Sequence, residues 1–177
     1  DNGRTFDIAS FENYEIEVDN MRCIGYFLAL VLLITPVNLP LSDYIFKMIT
    51  GALTNHNDYV LPEFIKIMEQ LQNDEQIENY KIPFSIQKTI RIKKNNSYVD
   101  ESREINFSSN HDEFVTKDTV KSFCDKVIYT EYSFGGRREL LKALTEGFYQ
   151  LIPLEFMKIT NENNNKVLYI NLYSHEI

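Results

Sequence analysis

The chain has 177 residues, with 26 acidic and 18 basic side chains and a formal net charge of −8. This acidic balance makes nucleic acid a poor partner, because binding to a phosphate backbone depends on a cationic surface. A hydrophobic fraction of 44% excludes a wholly disordered chain, and two cysteines far apart in sequence exclude a disulfide framework. We therefore expect one or at most two globular domains with reduced thiols, in the cytosol or alternatively in the nucleus.

The longest apolar run extends from Cys23 to Ile34 and contains no charged residue. It predicts a helix that is buried on nearly all sides of a globular domain. Its twelve residues are fewer than the roughly 20 that a membrane-spanning helix needs, and Pro36 closes the run early. The preceding residues are rich in acidic rather than basic side chains, so we expect neither a signal peptide nor a membrane segment.

Two amphipathic helices are predicted next along the chain. The first covers residues 43–50, between Ser42, a favourable N-cap, and Gly51, a favourable residue after a helix end. The second starts at Pro62, since proline is tolerated in the first turn of a helix. Its apolar stripe at helical spacing consists of Phe64, Ile67, Met68 and Leu71.

The pattern then changes from the period of a helix to that of a strand. Apolar and polar residues alternate over 82–86 and again over 89–93, and a third, weaker strand is predicted over 104–107. Residues 95–97 are polar and predict a loop. We interpret these segments as a small antiparallel sheet.

Helical patterns return after Thr116, which is a suitable N-cap. The clearest helical period in the chain is formed by Val120, Phe123, Cys124, Val127 and Ile128. A further helix ends at Pro153, a short helical piece is expected over 154–159, and residues 167–172 fit a strand and a helix equally. This order of elements predicts an α+β fold, a mainly helical lobe with a small antiparallel β-sheet in an inserted subdomain.

No motif of a self-contained active site occurs in the chain. Gly135-Gly136 lacks the lysine and hydroxyl residue of a phosphate-binding loop, so we expect a turn there. Cys124 lies on an apolar stripe and Cys23 begins the apolar run, so both thiols are expected in the core. Three histidines in separate polar segments are expected to be solvated rather than metal ligands: His56, His111 and His175. Residue chemistry alone therefore indicates a binding or scaffolding unit.

Several short motifs follow one another over about residues 14–160. They are Cys23-Ile24-Gly25, Leu39-Pro40-Leu41, Ile82-Pro83-Phe84-Ser85-Ile86, Val115-Thr116, Ala143-Leu144-Thr145-Glu146-Gly147-Phe148 and Ile152-Pro153. Their order and spacing resemble the N-terminal lobe of HECT-type ubiquitin-protein ligases. Lys117-Asp118-Thr119 stands where that family has an Asn-rich stretch, and Tyr26 stands where it often has an arginine. The chain therefore resembles a divergent member.

The resemblance implies an incomplete HECT domain that consists of its N-terminal lobe. The larger helical part would comprise about 1–60 and 139–177, and a smaller strand-containing subdomain would comprise about 61–138. In the family, the catalytic cysteine lies in a C-terminal lobe, in a Thr-Cys-Phe-like context that neither Cys23 nor Cys124 has. No catalytic residue is therefore assigned to this chain, and no metal or organic cofactor is implied.

The function implied by the resemblance is that of a ubiquitin-protein transferase, as part of a longer chain. The lobe would dock a ubiquitin-conjugating enzyme, whose thioester-linked ubiquitin would pass to the cysteine of the absent lobe and then to a lysine of a protein substrate. The alternative is a non-catalytic protein-interaction domain with a HECT-like fold. A further lobe with a Thr-Cys-Phe-like motif beyond residue 177 would distinguish the two.

The resemblance also implies a hydrophobic groove for the conjugating enzyme on the smaller subdomain. The matching residues are Phe64, Ile67, Met68, Tyr80, Ile82, Phe123 and Val127. Because most of them also form the apolar stripes, the alternative is that they are the core of this subdomain. Both alternatives stay open for Ile67 and Val127, whereas the groove is favoured for Phe64 and Phe123.

Overall fold

The computed structural model of the chain describes residues 7–34, 41–52, 60–108, 113–162 and 165–170. These residues form a mainly helical structure with two antiparallel β-hairpins, which confirms the predicted α+β class. The three histidines and residues 171–172 lie outside the described residues.

The described residues contain five α-helices, four strands and single 3-10 turns. The helices are α1 (Val18–Ile34), α2 (Asp43–Ile49), α3 (Pro62–Gln72), α4 (Val120–Ser133) and α5 (Arg137–Tyr149). The strands are β1 (Ser85–Lys94), β2 (Ser97–Asn106), β3 (Met157–Glu162) and β4 (Asn165–Ile170). The 3-10 turns are Tyr14–Glu17, Ile77–Tyr80, Phe134–Gly136 and Leu154–Phe156.

The chain divides into two compact units, and each consists of segments that are separate in sequence. The first unit comprises Asp1–Ile8, Tyr14–Thr54 and Arg138–Ile177. The second unit comprises Ala9–Asn13 and Asn55–Arg137, and it contains α3, α4 and the β1–β2 hairpin.

The β1–β2 hairpin pairs ten residues of each strand in antiparallel register, from Ser85 opposite Asn106 to Lys94 opposite Ser97. It replaces the separate short strands that the alternation predicted. A two-residue connection joins the strands, and Asn95 adopts a positive φ of 55° there. Asparagine tolerates this left-handed conformation better than most residues, which explains the sharp reversal at a polar pair.

Two helix ends agree with the sequence and one does not. Gly51 follows α2 with a φ of +67°, and Pro62 is the first residue of α3, both as predicted. Among the described residues, however, Ser42 makes no side-chain hydrogen bond to the start of α2. The glycine therefore ends this helix as expected, while the serine does not cap it through its hydroxyl.

α4 begins at Val120, so the prediction of Thr116 as its N-cap is wrong by three residues. The Thr116 carbonyl accepts the N–H groups of Thr119 at 3.1 Å and Val120 at 2.8 Å. In return, the Thr116 N–H donates to the Thr119 hydroxyl at 2.9 Å. These reciprocal bonds close a turn ahead of the helix, and Thr119 takes the N-cap position.

The C-terminal segment departs from the predicted helical piece at 154–159. The 3-10 turn ends at Phe156, and Met157 starts β3, which pairs with β4 from Met157 opposite Ile170. The same pairing settles residues 165–170 as a strand. Pairing with β3 makes this segment a strand, and the sequence pattern of the segment alone carries no information about that partner.

α1 is not buried on nearly all sides, so the prediction from its apolar run is wrong. Only Met21, Gly25 and Ala29 are buried, at a spacing of four residues. Several large apolar side chains of this helix are exposed: Tyr26, Phe27, Leu33 and Ile34. Cys23 is exposed as well, which overturns its assignment to the core. Among the described residues no helix is both long and apolar enough to cross a bilayer.

Within the buried stripe of α1, α5 approaches the backbone at Gly25. A Cβ on Gly25 would lie 1.8 Å from the Leu144 carbonyl oxygen, and a Cβ on Gly147 would lie 1.9 Å from the Arg22 carbonyl oxygen. Neither distance leaves room for a methyl group. The two glycines therefore set the distance between these helices.

The second unit has its own apolar core between α3, α4 and the start of β1. Its buried members are Met68, Ile77, Phe84, Val115, Val120, Phe123, Cys124, Val127 and Ile128. The Phe123 ring is central, because its centroid lies 5.6 Å from that of Phe84 and 5.9 Å from that of Phe107. Three aromatic rings thus join the strands to α4.

We expect Gly147→Ala to destabilise the chain by at least about 2 kcal/mol, because the new methyl group overlaps the Arg22 carbonyl. Helix propensity alone would instead stabilise the variant by about 1 kcal/mol, so the sign identifies the contact. Lys142→Ala, whose side chain is 75% exposed on the same helix, is the matched control and should change stability by less than about 0.5 kcal/mol. Urea denaturation measures both, and a stabilised Gly147→Ala would contradict the backbone contact.

Phe123→Ala should lower the free energy of unfolding by about 3–5 kcal/mol, because it empties the centre of the aromatic cluster. Tyr129→Ala on the same helix is the control, since Tyr129 is 57% exposed and loses little burial. Chemical denaturation followed by circular dichroism compares the two. Similar losses in both variants would show that Phe123 is not a core residue.

Candidate functional site

The structure brings five of the predicted site residues into one apolar cluster of the second unit. Met68, Phe123 and Val127 are buried members of this cluster, while Phe64 and Ile82 pack against it and are half-buried. α3 supplies Phe64 and Met68, and α4 supplies Phe123 and Val127. Five residues from separate parts of the sequence thus share one neighbourhood.

Phe123 and Val127 are core residues, with exposed fractions of 5% and 4%. This burial favours the core alternative over the groove for both side chains. The Lys126 ammonium covers the same region, since it lies 5.1 Å from the centre of the Phe84 ring and donates to the Phe107 carbonyl at 2.9 Å. Phe123 and Val127 therefore stabilise the elements around them but have almost no accessible surface for contact with a partner.

Ile67 and Tyr80 are the exposed members of the predicted set, with exposed fractions of 54% and 53%. On α3, Ile65 rather than Ile67 packs against the cluster. The apolar stripe of this helix is therefore rotated from the one that the sequence indicated, and Ile67 faces solvent. Whether the whole set binds a partner stays a prediction.

Tyr80 is placed by a 3-10 turn whose first residue, Ile77, is fully buried. The Tyr80 hydroxyl is hydrogen-bonded to the Asp74 carboxylate, which raises the pKa of the tyrosine because the bond needs its proton. Lys81 follows with a φ of 47°, so the chain reverses direction immediately after the tyrosine. The ring is thus exposed at the end of a turn whose first residue is buried.

Ile82 lies in the predicted strand pattern over residues 82–86, but its antiparallel partner, the segment at Phe114 and Val115, was not predicted. Its carbonyl accepts the Val115 N–H at 2.8 Å, and Pro83 forms an isolated bridge with Phe114. Val115 is buried, whereas Phe114 is 48% exposed. Phe114 is therefore an additional exposed aromatic near the predicted site. The sequence carries no signal for its exposure, because Phe114 and Val115 are both apolar and only Val115 is buried.

An open groove of about 690 Å³ lies along the outer face of α4. Its lining residues are Phe107, Asp118, Lys121, Ser122, Asp125, Lys126, Tyr129 and Thr130. None of the predicted site residues is among them. Because acidic and basic side chains alternate along this groove, its charge does not favour one sign of ligand.

The two thiols differ sharply in environment. Cys124 is fully buried, as predicted, and burial raises its pKa, which lowers the fraction of reactive thiolate. Its Sγ lies 3.6 Å from the Met68 carbonyl oxygen, so it is a packing residue between α4 and α3. Cys23 is exposed on α1. The described residues contain no group of three side chains suited to hold a metal ion.

The HECT-domain (ubiquitin-transferase) family model matches residues 2–172. No curated protein matches the chain in sequence. The family match spans nearly the whole chain, including both glycines of the α1–α5 contact and all the residues of the apolar cluster. The chain therefore belongs to the HECT-domain (ubiquitin-transferase) family.

Proposed function

We propose that the second unit docks a ubiquitin-conjugating enzyme. In this proposal the conjugating enzyme passes its thioester-linked ubiquitin to a catalytic cysteine in a C-terminal lobe outside residues 1–177, and from there to a lysine of a protein substrate. Family membership supports the general function of ubiquitin transfer. The observation that carries the docking step is the exposure of Ile67 and Tyr80 on two elements, α3 and the 3-10 turn Ile77–Tyr80, that also supply buried residues to the apolar cluster.

Ile67 and Tyr80 offer apolar area that this unit does not use for its own core. A single exposed apolar side chain needs no explanation, but tyrosine is enriched among residues that dominate binding energy. The buried Ile77 anchors the 3-10 turn that ends at Tyr80, so the backbone of Tyr80 is positioned before any partner arrives. A residue whose backbone is ordered beforehand loses less entropy on binding, which favours Tyr80 as an anchor.

The buried residues of the predicted set have a supporting role in this proposal. Met68 and Phe123 lie under α3 and the strand entry, so they fix the elements that carry the exposed residues. Removing them would alter docking through loss of structure rather than through loss of contact. The exposed residues are therefore the correct positions for a binding test.

Tyr80→Ala and Ile67→Ala should each weaken binding of a ubiquitin-conjugating enzyme by about tenfold, because each removes apolar contact area without opening the core. Isothermal titration calorimetry against a panel of purified conjugating enzymes measures the affinities. Circular dichroism checks that both variants retain the fold.

Val99→Ala is the matched control, since Val99 is 40% exposed on β2, a strand that carries none of the predicted site residues. It should leave every affinity unchanged. Failure of the unaltered chain to bind any conjugating enzyme would contradict the proposal. Equal effects of Val99→Ala and Tyr80→Ala would contradict the placement of the site.

We propose further that neither thiol of this chain accepts ubiquitin, so that its contribution to transfer is positioning rather than covalent chemistry. The nucleophile in thioester exchange is the thiolate, and the buried Cys124 has a raised pKa and no access to a partner. Cys23 is exposed, but family resemblance gives it no catalytic context.

Incubation of the chain with activating enzyme, conjugating enzyme, ubiquitin and ATP should yield no thioester-linked ubiquitin on Cys23 or on Cys124, and an adduct on either thiol would contradict the proposal. A gel run with and without reducing agent detects such an adduct. Cys23→Ser serves as the control for chemistry at the exposed thiol. A reducible adduct that survives Cys23→Ser and disappears in Cys124→Ser would overturn the assignment of Cys124 as a packing residue.

A further inference from the structure

Residues 9–13 meet the outer edge of β1 at Arg91, and we call them the edge segment. They belong to the second unit although the residues before and after them belong to the first. The Arg91 N–H donates to the Ser10 carbonyl at 2.8 Å, and the Glu12 N–H donates to the Arg91 carbonyl at 3.1 Å. This pair of bonds is the parallel bridge between Phe11 and Arg91.

The side-chain site for Phe11 is suited to an aromatic ring. Its ring meets Tyr98 edge to face, with centroids 5.7 Å apart, and the Arg91 guanidinium lies 6.0 Å from its centre. Asp100 fixes that guanidinium through two hydrogen bonds of 2.8 and 3.2 Å. An edge contact and a cation over the ring both require a π system, so an aliphatic residue would fit less well.

The next position of the edge segment is suited to an acidic side chain. The Glu12 carboxylate pairs with the Arg103 guanidinium of β2. Both side chains are partly exposed, so this pair contributes little to stability on its own. Its value is selectivity, since a basic residue in the place of Glu12 would face a like charge.

The backbone of the edge segment sits against a glycine that leaves room for it. The Phe11 N–H donates to the Gly135 carbonyl at 2.9 Å, and Gly135 has a φ of +62°. A Cβ on Gly135 would lie 2.4 Å from the Ser10 Cβ, so the segment needs a glycine there. The backbone around Phe11 is therefore hydrogen-bonded from two sides, by β1 and by the 3-10 turn Phe134–Gly136.

The edge of β1 is longer than the part that the edge segment covers. Backbone groups of alternate residues in a strand face the same edge, so those of Thr89 and Lys93 face the same way as those of Arg91. Within the described part of the chain, residues 9–13 bond this edge only at Arg91. A longer extended segment could form further hydrogen bonds at Thr89 and Lys93.

We infer that the outer edge of β1 is a binding site for an extended protein segment in which an aromatic residue is followed by an acidic residue. Residues 9–13 occupy this site within the same chain. A partner segment of that chemistry runs parallel to β1, places its aromatic ring between Tyr98 and Arg91, and places its carboxylate at Arg103. This is the addition of a strand to a sheet edge, in which backbone bonds give affinity and side-chain positions give specificity.

The edge segment competes with such a partner because it is tethered to its site. A tethered occupant has an effective concentration on the order of millimolar, so a free peptide of equal length displaces it poorly. Weakening the edge segment should therefore increase the affinity for a free peptide. Such an increase is expected only if the peptide and the edge segment bind the same site, so it distinguishes that site from an unrelated one.

The test uses the full chain carrying Phe11→Ala and Glu12→Ala, together with a fluorescently labelled peptide that copies residues 7–13. Fluorescence anisotropy should show that the peptide binds the double variant at least about tenfold more tightly than the unaltered chain. A peptide with alanine in the place of Phe11 should bind at least about tenfold more weakly than the parent peptide. Circular dichroism verifies that the double variant is folded.

Charge exchange tests the acidic position separately. In the double-variant background, Arg103→Glu should lower the affinity for the parent peptide. A peptide with lysine in the place of Glu12 should recover the lost affinity. Equal affinity of the parent peptide for the double variant and the unaltered chain would overturn the inference. So would no binding to the folded double variant, or equal binding of the alanine peptide.

Discussion

Three phenylalanine rings, Phe84, Phe107 and Phe123, contact one another and hold the second unit together. They join the start of β1 and the residue after β2 to α4, three regions that are distant in sequence. Because Phe123 points into this cluster, the apolar stripe of α4 turns inward and leaves its polar face to solvent. The side chains of α3 and of the 3-10 turn Ile77–Tyr80 that do not pack into this core, such as Ile67 and Tyr80, are exposed.

Hydrophobic period predicted the helices of this unit well, but it did not predict which residues of α3 face the core. The residues Phe64, Met68 and Leu71 suit a stripe with either Ile65 or Ile67 at its side, since both lie within reach of the same face. The position of α4 decides for Ile65. A similar gap explains α1, where α5 approaches the backbone at Gly25. The apolar run from Cys23 to Ile34 does not indicate which of its side chains this approach leaves exposed.

The site predicted from family resemblance divides into a buried and an exposed part for the same physical reason. A binding groove and a core both require apolar side chains at helical spacing, so sequence alone does not separate them. Burial does separate them: Phe123 supports the surface, whereas Tyr80 forms part of it. Tyr80 itself is placed by a short turn that begins at the buried Ile77.

β1 connects the proposed edge site with the rest of the second unit through the alternation of its side chains. Ile90 and Ile92 are buried, so Arg91 between them projects from the opposite face of the strand. There Asp100 holds its guanidinium against Phe11, while its backbone bonds the edge segment. Any segment on this edge is therefore aligned by a residue whose own position is fixed by the core. A partner strand would meet a preformed surface, and its affinity would depend mainly on how firmly residues 9–13 occupy that surface.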